Sequence, residues 1–264
     1  SSSATYGGSV TSTTAGSANI GGLVGLATDA SNINSAYNSA SVTGKNDDGS
    51  VNISNLGGIV GHLDNSNVSS VINAGNIYGE KSTGGLVGNV NNDTMPTNTK
   101  TLANSYNKGQ VSGIDNTGGI AGEATNASFD TVYNTNESST LSGNLAALNA
   151  DLSAIKAYYA DSHNQSNSGK ITGTGQNTGG LVGLAENTTI DKAYNAGNVT
   201  GTANTGGLVG QMTGSSSLIT NAYNADNNTV IRETFASGLP DAVKNITSSS
   251  NVTEEDVRYY SFYS

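Results

Sequence analysis

The chain of 264 residues contains no cysteine, and only 11% of its residues are charged. The lack of cysteine excludes disulfides, thiol catalysis and thiolate metal sites. Ten Lys and Arg stand against twenty Asp and Glu, so the net charge is −10 and no basic surface for nucleic acid or anionic lipid is expected. The longest apolar runs are far too short to cross a bilayer. These absences predict a protein that neither binds nucleic acid nor inserts into a membrane.

Large aliphatic residues are also scarce, because Leu, Ile, Val and Phe together number 50 of 264, close to the level typical of disordered chains. The chain has instead 35 Gly and 36 Asn, with many Ser and Thr. This polar composition of low charge, without cysteine, favours an extracellular location at the cell surface.

A search for internal repeats decides whether such a chain can fold. The pentapeptide Gly-Gly-[Leu/Ile]-[Val/Ala]-Gly occurs six times, at residues 21–25, 57–61, 84–88, 118–122, 179–183 and 206–210. A second element, a small residue followed by Tyr-Asn, is centred on Tyr37, Tyr106, Tyr133, Tyr194 and Tyr223, with Ile72 as a variant. A third element, [Val/Ile]-x-Gly, begins at Val42, Ile77, Val111, Ile171 and Val199.

The three elements recur at spacings of 13, 5 and 9 residues, which define a basic unit of 27. The separation of 61 residues between Gly118 and Gly179 is interpreted as two units, in which residues 144–148 replace one pentapeptide. With a truncated unit at residues 6–10, the chain is predicted to hold seven or eight units.

Each unit contains three short apolar stretches flanked by Gly or Asn. The stretches are too short for helices, and their Val, Ile and Tyr residues suit a pleated surface. Gly and Asn tolerate the positive φ of sharp corners. The sequence therefore predicts an all-β fold, a parallel β-solenoid with three short strands per coil, in which stacking supplies the core. A disordered tract would show no such fixed spacing.

The solenoid is predicted over residues 1–224. The spacing of Leu145, Leu148, Leu152 and Ile155 predicts a helical insertion at about 144–158. Residues 225–264 depart from the repeat and are predicted to form a C-terminal cap or docking segment, with a capping box at 253–256 that opens a second short helix.

Stacking at about 4.8 Å per coil places equivalent residues above one another. The asparagines of the second element are predicted to form a ladder of side-chain amides, a device that stabilises stacked strands: Asn38, Asn73, Asn107, Asn134, Asn195 and Asn224. The adjacent tyrosines are predicted to form an aromatic stack. The alternative interpretation is an exposed row of rings that binds a glycan.

No residue is predicted to be catalytic, to bind a cofactor or to ligate a metal. The two histidines, His62 and His163, fall in different units. Asp47 and Asp48 are interpreted as part of a solvated acidic loop, and the alternative is a contact with a Ca²⁺ ion. Hydrolases and lyases need converging carboxylates, but the candidate acids share no position in the repeat by this reading: Asp29, Asp64, Asp115, Asp130, Asp191 and Asp226.

The order of the elements, as in residues 179–183 followed by 193–201, resembles the GLUG motif. This motif occurs in large bacterial and archaeal surface proteins, including haemagglutinin-type adhesins, and beside the protease domain of IgA-specific metalloproteases. The resemblance spans about residues 21–224 and implies a repeat architecture. Residues 140–168 and those after 224 depart from the pattern.

The ends of stacked coils are strand edges, which pair with other chains unless they are capped. We therefore expect a non-enzymatic extracellular structural protein that assembles with itself into a filament, sheath or layer. One alternative is an adhesin stalk or glycan-binding module, whose partners are glycans or host and cell surfaces. Another is a polysaccharide-acting enzyme, or a region accessory to a surface metalloprotease.

Overall fold

The computed structural model describes residues 8–12, 18–44, 54–135 and 169–224. These ranges contain 26 strands and no helix, and every strand pairing among them is parallel. The strands form four sheets whose members come from successive turns of the chain. The predicted all-β parallel β-solenoid is confirmed.

Sheet I contains β1 (Ser9–Ser12), β6 (Ser41–Gly44), β11 (Ile77–Tyr78), β15 (Val111–Gly113), β19 (Ile171–Gly173) and β23 (Val199–Thr200). Sheet II contains β2 (Ile20–Gly21), β7 (Leu56–Gly57), β12 (Lys81–Gly84), β16 (Asp115–Gly118), β20 (Gln176–Gly179) and β24 (Ala203–Gly206). Sheet III contains β3 (Val24–Ala27), β8 (Val60–Asp64), β13 (Val87–Asn91), β17 (Ala121–Thr125), β21 (Val182–Glu186) and β25 (Val209–Thr213). Sheet IV contains β4 (Asn32–Asn34), β5 (Tyr37–Asn38), β9 (Asn67–Ser69), β10 (Ile72–Asn73), β14 (Leu102–Asn107), β18 (Ser128–Asn134), β22 (Thr189–Asn195) and β26 (Leu218–Asn224).

One coil passes through sheets II, III and IV and then sheet I, after which the chain enters sheet II of the next coil. The register follows the repeat, since residues of the third element stack directly: Val42, Ile77, Val111, Ile171 and Val199. The spacings read from the sequence are therefore the register of the stack.

A coil contributes to four sheets, not to the predicted three. The difference lies in the pentapeptide, where β12 ends at Gly84 and β13 begins at Val87. A Cβ on Gly84 would lie 1.9 Å from the carbonyl oxygen of Val87, so the chain bends too tightly there for any other residue. The pentapeptide is a corner between two strands.

The span between Gly118 and Gly179 is one coil, not two. β16 pairs directly with β20, which places Gly118 beside Gly179, and β18 pairs directly with β22. Asn134 Nδ2 donates to Gly169 O at 2.8 Å. In the preceding coil, Asn107 Nδ2 makes the same bond to Gly109 O, only two residues later in the sequence. Gly169 thus takes the position of a repeat residue, and 136–168 is an insertion at one corner.

The described ranges accordingly contain six coils, and β1 adds one strand of a truncated unit to sheet I. This agrees with the lower predicted number of seven units, whereas the eighth unit, placed between Gly118 and Gly179, is absent from the described stack. The helix predicted at 144–158 and the cap predicted at 225–264 lie outside the described residues. The capping box at 253–256 lies outside them as well.

The core is a narrow column of aliphatic residues inside the coils. One cluster consists of residues from sheets III and IV and from the pentapeptide corner, and the second consists of residues from sheets I and II. The Leu or Ile of the pentapeptide is fully buried in the four central coils, at Ile59, Leu86, Ile120 and Leu181. Because each side chain packs on its equivalent in the next coil, few large residues suffice to form a continuous core.

Asparagine is the commonest residue at the left-handed backbone positions. Nine of the sixteen non-glycine residues with positive φ are asparagines, whereas Gly169 and Gly214 are the glycines with positive φ among the described residues. Asn tolerates this region because its side chain bonds locally. The other glycines permit close backbone contacts. The sequence predicts one role for Gly and Asn, at corners of positive φ, whereas in the structure Asn takes many of these corners and most glycines lie at close contacts.

We expect Gly119→Ala to destabilise the fold by about 3 kcal/mol or more, the upper range for overpacked sites. A Cβ on Gly119 would lie 2.2 Å from Gly180 O in the next coil and 2.6 Å from Asn134 Cγ. Gly8→Ala is the matched control, because its nearest atom would be Ala40 Cβ at 3.6 Å. Urea unfolding followed by circular dichroism measures both variants, and equal stabilities would contradict the stacking described here.

Candidate functional site

The predicted amide ladder is present at the corner between sheets IV and I. Each of its six asparagines is linked to the next by a hydrogen bond from Nδ2 to Oδ1, with lengths between 2.7 and 2.9 Å: Asn38, Asn73, Asn107, Asn134, Asn195 and Asn224. The first five members are no more than 3% exposed. The ladder is therefore a buried polar column that runs the length of the described stack.

Local bonds fix which way each amide points. Asn73 Nδ2 also donates to Gly75 O at 2.8 Å, and its Oδ1 accepts from the Gly75 amide at 3.2 Å. If Nδ2 and Oδ1 exchanged places, Nδ2 would face the Gly75 N–H, which is also a donor, and Oδ1 would face the Gly75 carbonyl oxygen, which is also an acceptor. In every link, the donor consequently belongs to the earlier coil and the acceptor to the later one.

A second amide row, not predicted from the sequence, lies at the beginning of the strands of sheet II. Asn55 donates to Asn19, Asn177 to Asn116 and Asn204 to Asn177, each at 2.8 Å. Here the later coil donates, so this row runs opposite to the ladder. The signal in the sequence is Asn-Thr immediately before three of the pentapeptides, at 116–117, 177–178 and 204–205.

The second row is interrupted where serine replaces asparagine. Ser82 Oγ donates instead to Glu123 Oε2 at 2.9 Å. The row therefore tolerates replacement of one amide, whereas each of the six positions of the ladder is asparagine.

The tyrosine column changes from exposed to buried along the stack. Tyr37 is 59% exposed, whereas Tyr106, Tyr133 and Tyr194 are 6%, 3% and 1% exposed. The rings of Tyr133 and Tyr194 stack with centroids 4.3 Å apart, which confirms the predicted aromatic contact for this pair. A glycan platform needs open ring faces, so the burial of these three rings favours a packing role.

Burial raises the pKa of Tyr133 from 10.0 to about 12, and the negative charge of Asp130 acts in the same direction. Both causes disfavour the phenolate form. Tyr133 consequently stays neutral over a wider range of pH in the folded chain than in the unfolded one.

Two of the acids do share a column, contrary to the sequence analysis. Asp130 and Asp191 are partners in the register of β18 and β22. Each stands three residues before the tyrosine of its own unit, so the shared position is already present in the sequence. Lys192 Nζ lies 3.6 Å from Asp130 Oδ1 and 3.9 Å from Asp191 Oδ2. Thr220 Oγ1 and Asn221 Nδ2 also donate to Asp191 Oδ1, at 2.9 and 2.8 Å. This pair is balanced by a lysine and by donors of the next coil, an arrangement that links coils together.

The remaining candidates are not brought together. His62 Nδ1 lies 3.4 Å from Asn55 Nδ2, whereas His163, Asp47, Asp48 and Asp226 lie outside the described residues. Within the ranges that the structure describes, no three His, Asp or Glu residues are grouped to hold a metal. The same part of the chain contains no helix that is long and apolar enough to span a bilayer.

Among the described residues, each end of the stack finishes in strands that are paired on one side. At the N-terminal end, β2, β3, β4 and β5 have a neighbour on one side only among the described strands, and β23 to β26 do so at the C-terminal end. Leu23 is 47% exposed at the N-terminal end, although Ile59 and Leu86 of the same column are fully buried. This end therefore presents part of the core column to its surroundings.

No protein-family model, curated protein or solved structure matches the chain. The resemblance to the GLUG motif stays a prediction, and the class defined by the structure is that of the parallel β-solenoids.

We expect Asn195→Leu to lower the free energy of unfolding by about 3 kcal/mol. Leucine accepts nothing from Asn134 and donates nothing to Asn224, and each buried polar group left unpaired costs about 1–3 kcal/mol. Asn98→Leu is the control, because Asn98 is exposed and such surface changes stay within about 0.5 kcal/mol. Urea titration compares the two, and an Asn195 variant as stable as the control would show that the ladder adds nothing to stability.

The Tyr133 phenol predicts a loss of stability at alkaline pH. Below pH 10 it is neutral in both states, but between pH 10 and about 12 the unfolded chain ionises first, which favours unfolding. Tyr133→Phe should lose less stability than the unsubstituted chain over this interval. Tyr37→Phe, which keeps Tyr133, should retain the full loss. Denaturant titrations at several pH values measure this, and identical profiles for both variants would refute the expectation.

Proposed function

We propose that the chain is a non-enzymatic extracellular structural protein, a subunit that assembles with further copies into a cell-surface filament, sheath or layer. The observation that supports the proposal is the pair of ends described above, where each of the four sheets finishes in a strand with one neighbour among the described residues. Such edges present backbone donors and acceptors to another chain.

Strand-edge pairing requires no special side chain at the joint, because the backbone of one copy continues the ladder of the next. The partner is therefore the chain itself. The repeat supports pairing between copies, because each coil already pairs in parallel with an equivalent coil of the same chain. In this mechanism no single residue carries the activity, and the stack as a whole is the functional element.

The proposed location at the cell surface rests on composition. The chain has no cysteine, a low charge fraction and a net charge of −10, and its exposed positions are largely Ser, Thr and Asn. Immunogold labelling of intact source cells with antibodies against the chain tests this location, because an intracellular protein stays unlabelled until the cells are opened.

Purified chain should form regular polymers, visible by negative-stain electron microscopy, as its concentration is raised. Sedimentation velocity of the same samples should show loss of the 26.5 kDa monomer. Monomers at every concentration that bind glycan arrays would favour the glycan-binding module, and monomers that cleave polysaccharides would favour the enzyme. Either result would contradict the proposal.

A further inference from the structure

We propose that the assembly is polar: the C-terminal end of one copy stacks on the N-terminal end of the next, and the asparagine ladder continues across the joint. This inference rests on the proposed function, and it adds which ends meet, in which direction and through which side chains.

The ladder has different chemistry at its two ends. Five of its members donate an Nδ2 hydrogen to the asparagine of the following coil, and Asn224 is the last acceptor in this series. No later coil follows it among the described residues. Within the described residues, the ladder therefore finishes at Asn224, an amide whose equivalents all donate forward.

The N-terminal end is complementary. Oδ1 of Asn73 accepts both from Asn38 of the preceding coil and from its own Gly75 amide. Oδ1 of Asn38 accepts from the Ala40 amide at 3.0 Å, and no asparagine of an earlier coil donates to it within the described ranges. An acceptor thus stands at this end where a donor stands at the other.

Joining unlike ends repeats a geometry that the stack already contains. The link from Asn195 to Asn224 measures 2.9 Å, and a link from Asn224 to Asn38 of the next copy would have the same form. The second row closes in the same joint, since Asn19 of the next copy would donate to Asn204, as Asn204 donates to Asn177. Joining like ends would instead reverse the strand direction and make the joint antiparallel, unlike every pairing described here.

The apolar column continues across the same joint. Leu23 is 47% exposed, and Leu208, its equivalent in the last coil, is only partly buried, although the four residues between them in the column are fully buried. Stacking Leu208 of one copy on Leu23 of the next would bury both. Head-to-tail contact therefore satisfies the amide ladder and the core column together.

Leu23→Glu tests whether the N-terminal end lies in the joint. Glutamate there would bury an unpaired charge in the polymer and should abolish polymers at concentrations where the unsubstituted chain forms them. Leu26→Glu is the matched control, because Leu26 lies three residues away, is 52% exposed, and points outward from sheet III at the side of the stack. Both variants should keep the circular dichroism spectrum and melting curve of the unsubstituted chain. Loss of polymers in the Leu26 variant alone would overturn the inference in favour of side-by-side packing.

Engineered cysteines test the direction, since the chain has none of its own. Leu26 and Gln211 occupy the same outward column in the first and last coils. In a head-to-tail joint their Cα atoms would lie about 4.8 Å apart, within reach of a disulfide. The double variant L26C/Q211C should therefore give a series of covalent multimers on a non-reducing gel.

The single variants separate the inference from the proposed function. L26C alone and Q211C alone should each stay monomeric on the gel although their polymers are visible by microscopy. Efficient dimers from either single variant would show that like ends meet, and polymers without cross-links in the double variant would show that the ends do not stack. Both results would overturn the inference and leave self-assembly standing, whereas absence of polymers in the unsubstituted chain would overturn both.

Discussion

The structure depends on how closely one coil can approach the next. A Cβ on the second glycine of the pentapeptide would lie 2.0–2.2 Å from a glycine carbonyl oxygen of the following coil, at Gly22, Gly58, Gly85, Gly119 and Gly180. The same positions face the ladder asparagines, whose side chains occupy the space that a Cβ would take. One missing side chain per coil thus permits the backbone pairing, the buried amides and the narrow core together.

The sequence predicts the fold well because, in a solenoid, residues separated by one repeat length lie next to each other in neighbouring coils. The separations of 13, 5 and 9 residues place Tyr106 beside Tyr133 and Asn107 on Asn134, and both pairings are present. The predicted number of three strands per coil was wrong, because the bend at Gly84 depends on close backbone contacts. A pattern of apolar residues contains no information about such contacts. The insertion was misread for a similar reason: a stretch without the motif looks the same whether it forms a coil or leaves the stack, and only the direct pairing of β18 with β22 decides.

The candidate site was predictable in part. The ladder follows from stacking alone, since six asparagines at one repeat position must lie above one another. The direction of its hydrogen bonds does not follow, because it is set by the turn that bonds Asn73 to Gly75. Asp130 and Asp191 occupy the same position in their units, but their direct contact follows only once residues 136–168 are known to be an insertion. The exposure of Leu23 depends on where the described stack ends. The features on which the proposals rest are those that appear only in three dimensions.

The corner that carries the insertion has a practical consequence. The amides of Thr135 and Gly169, where the chain leaves and rejoins the stack, donate to the carbonyl oxygens of Asn107 and Lys108, two consecutive residues of the coil beneath. The coils on both sides remain in register regardless of the 33 intervening residues. This corner is a natural place for genetic fusion, where a foreign peptide or a whole domain would be displayed without a change in the register of the coils.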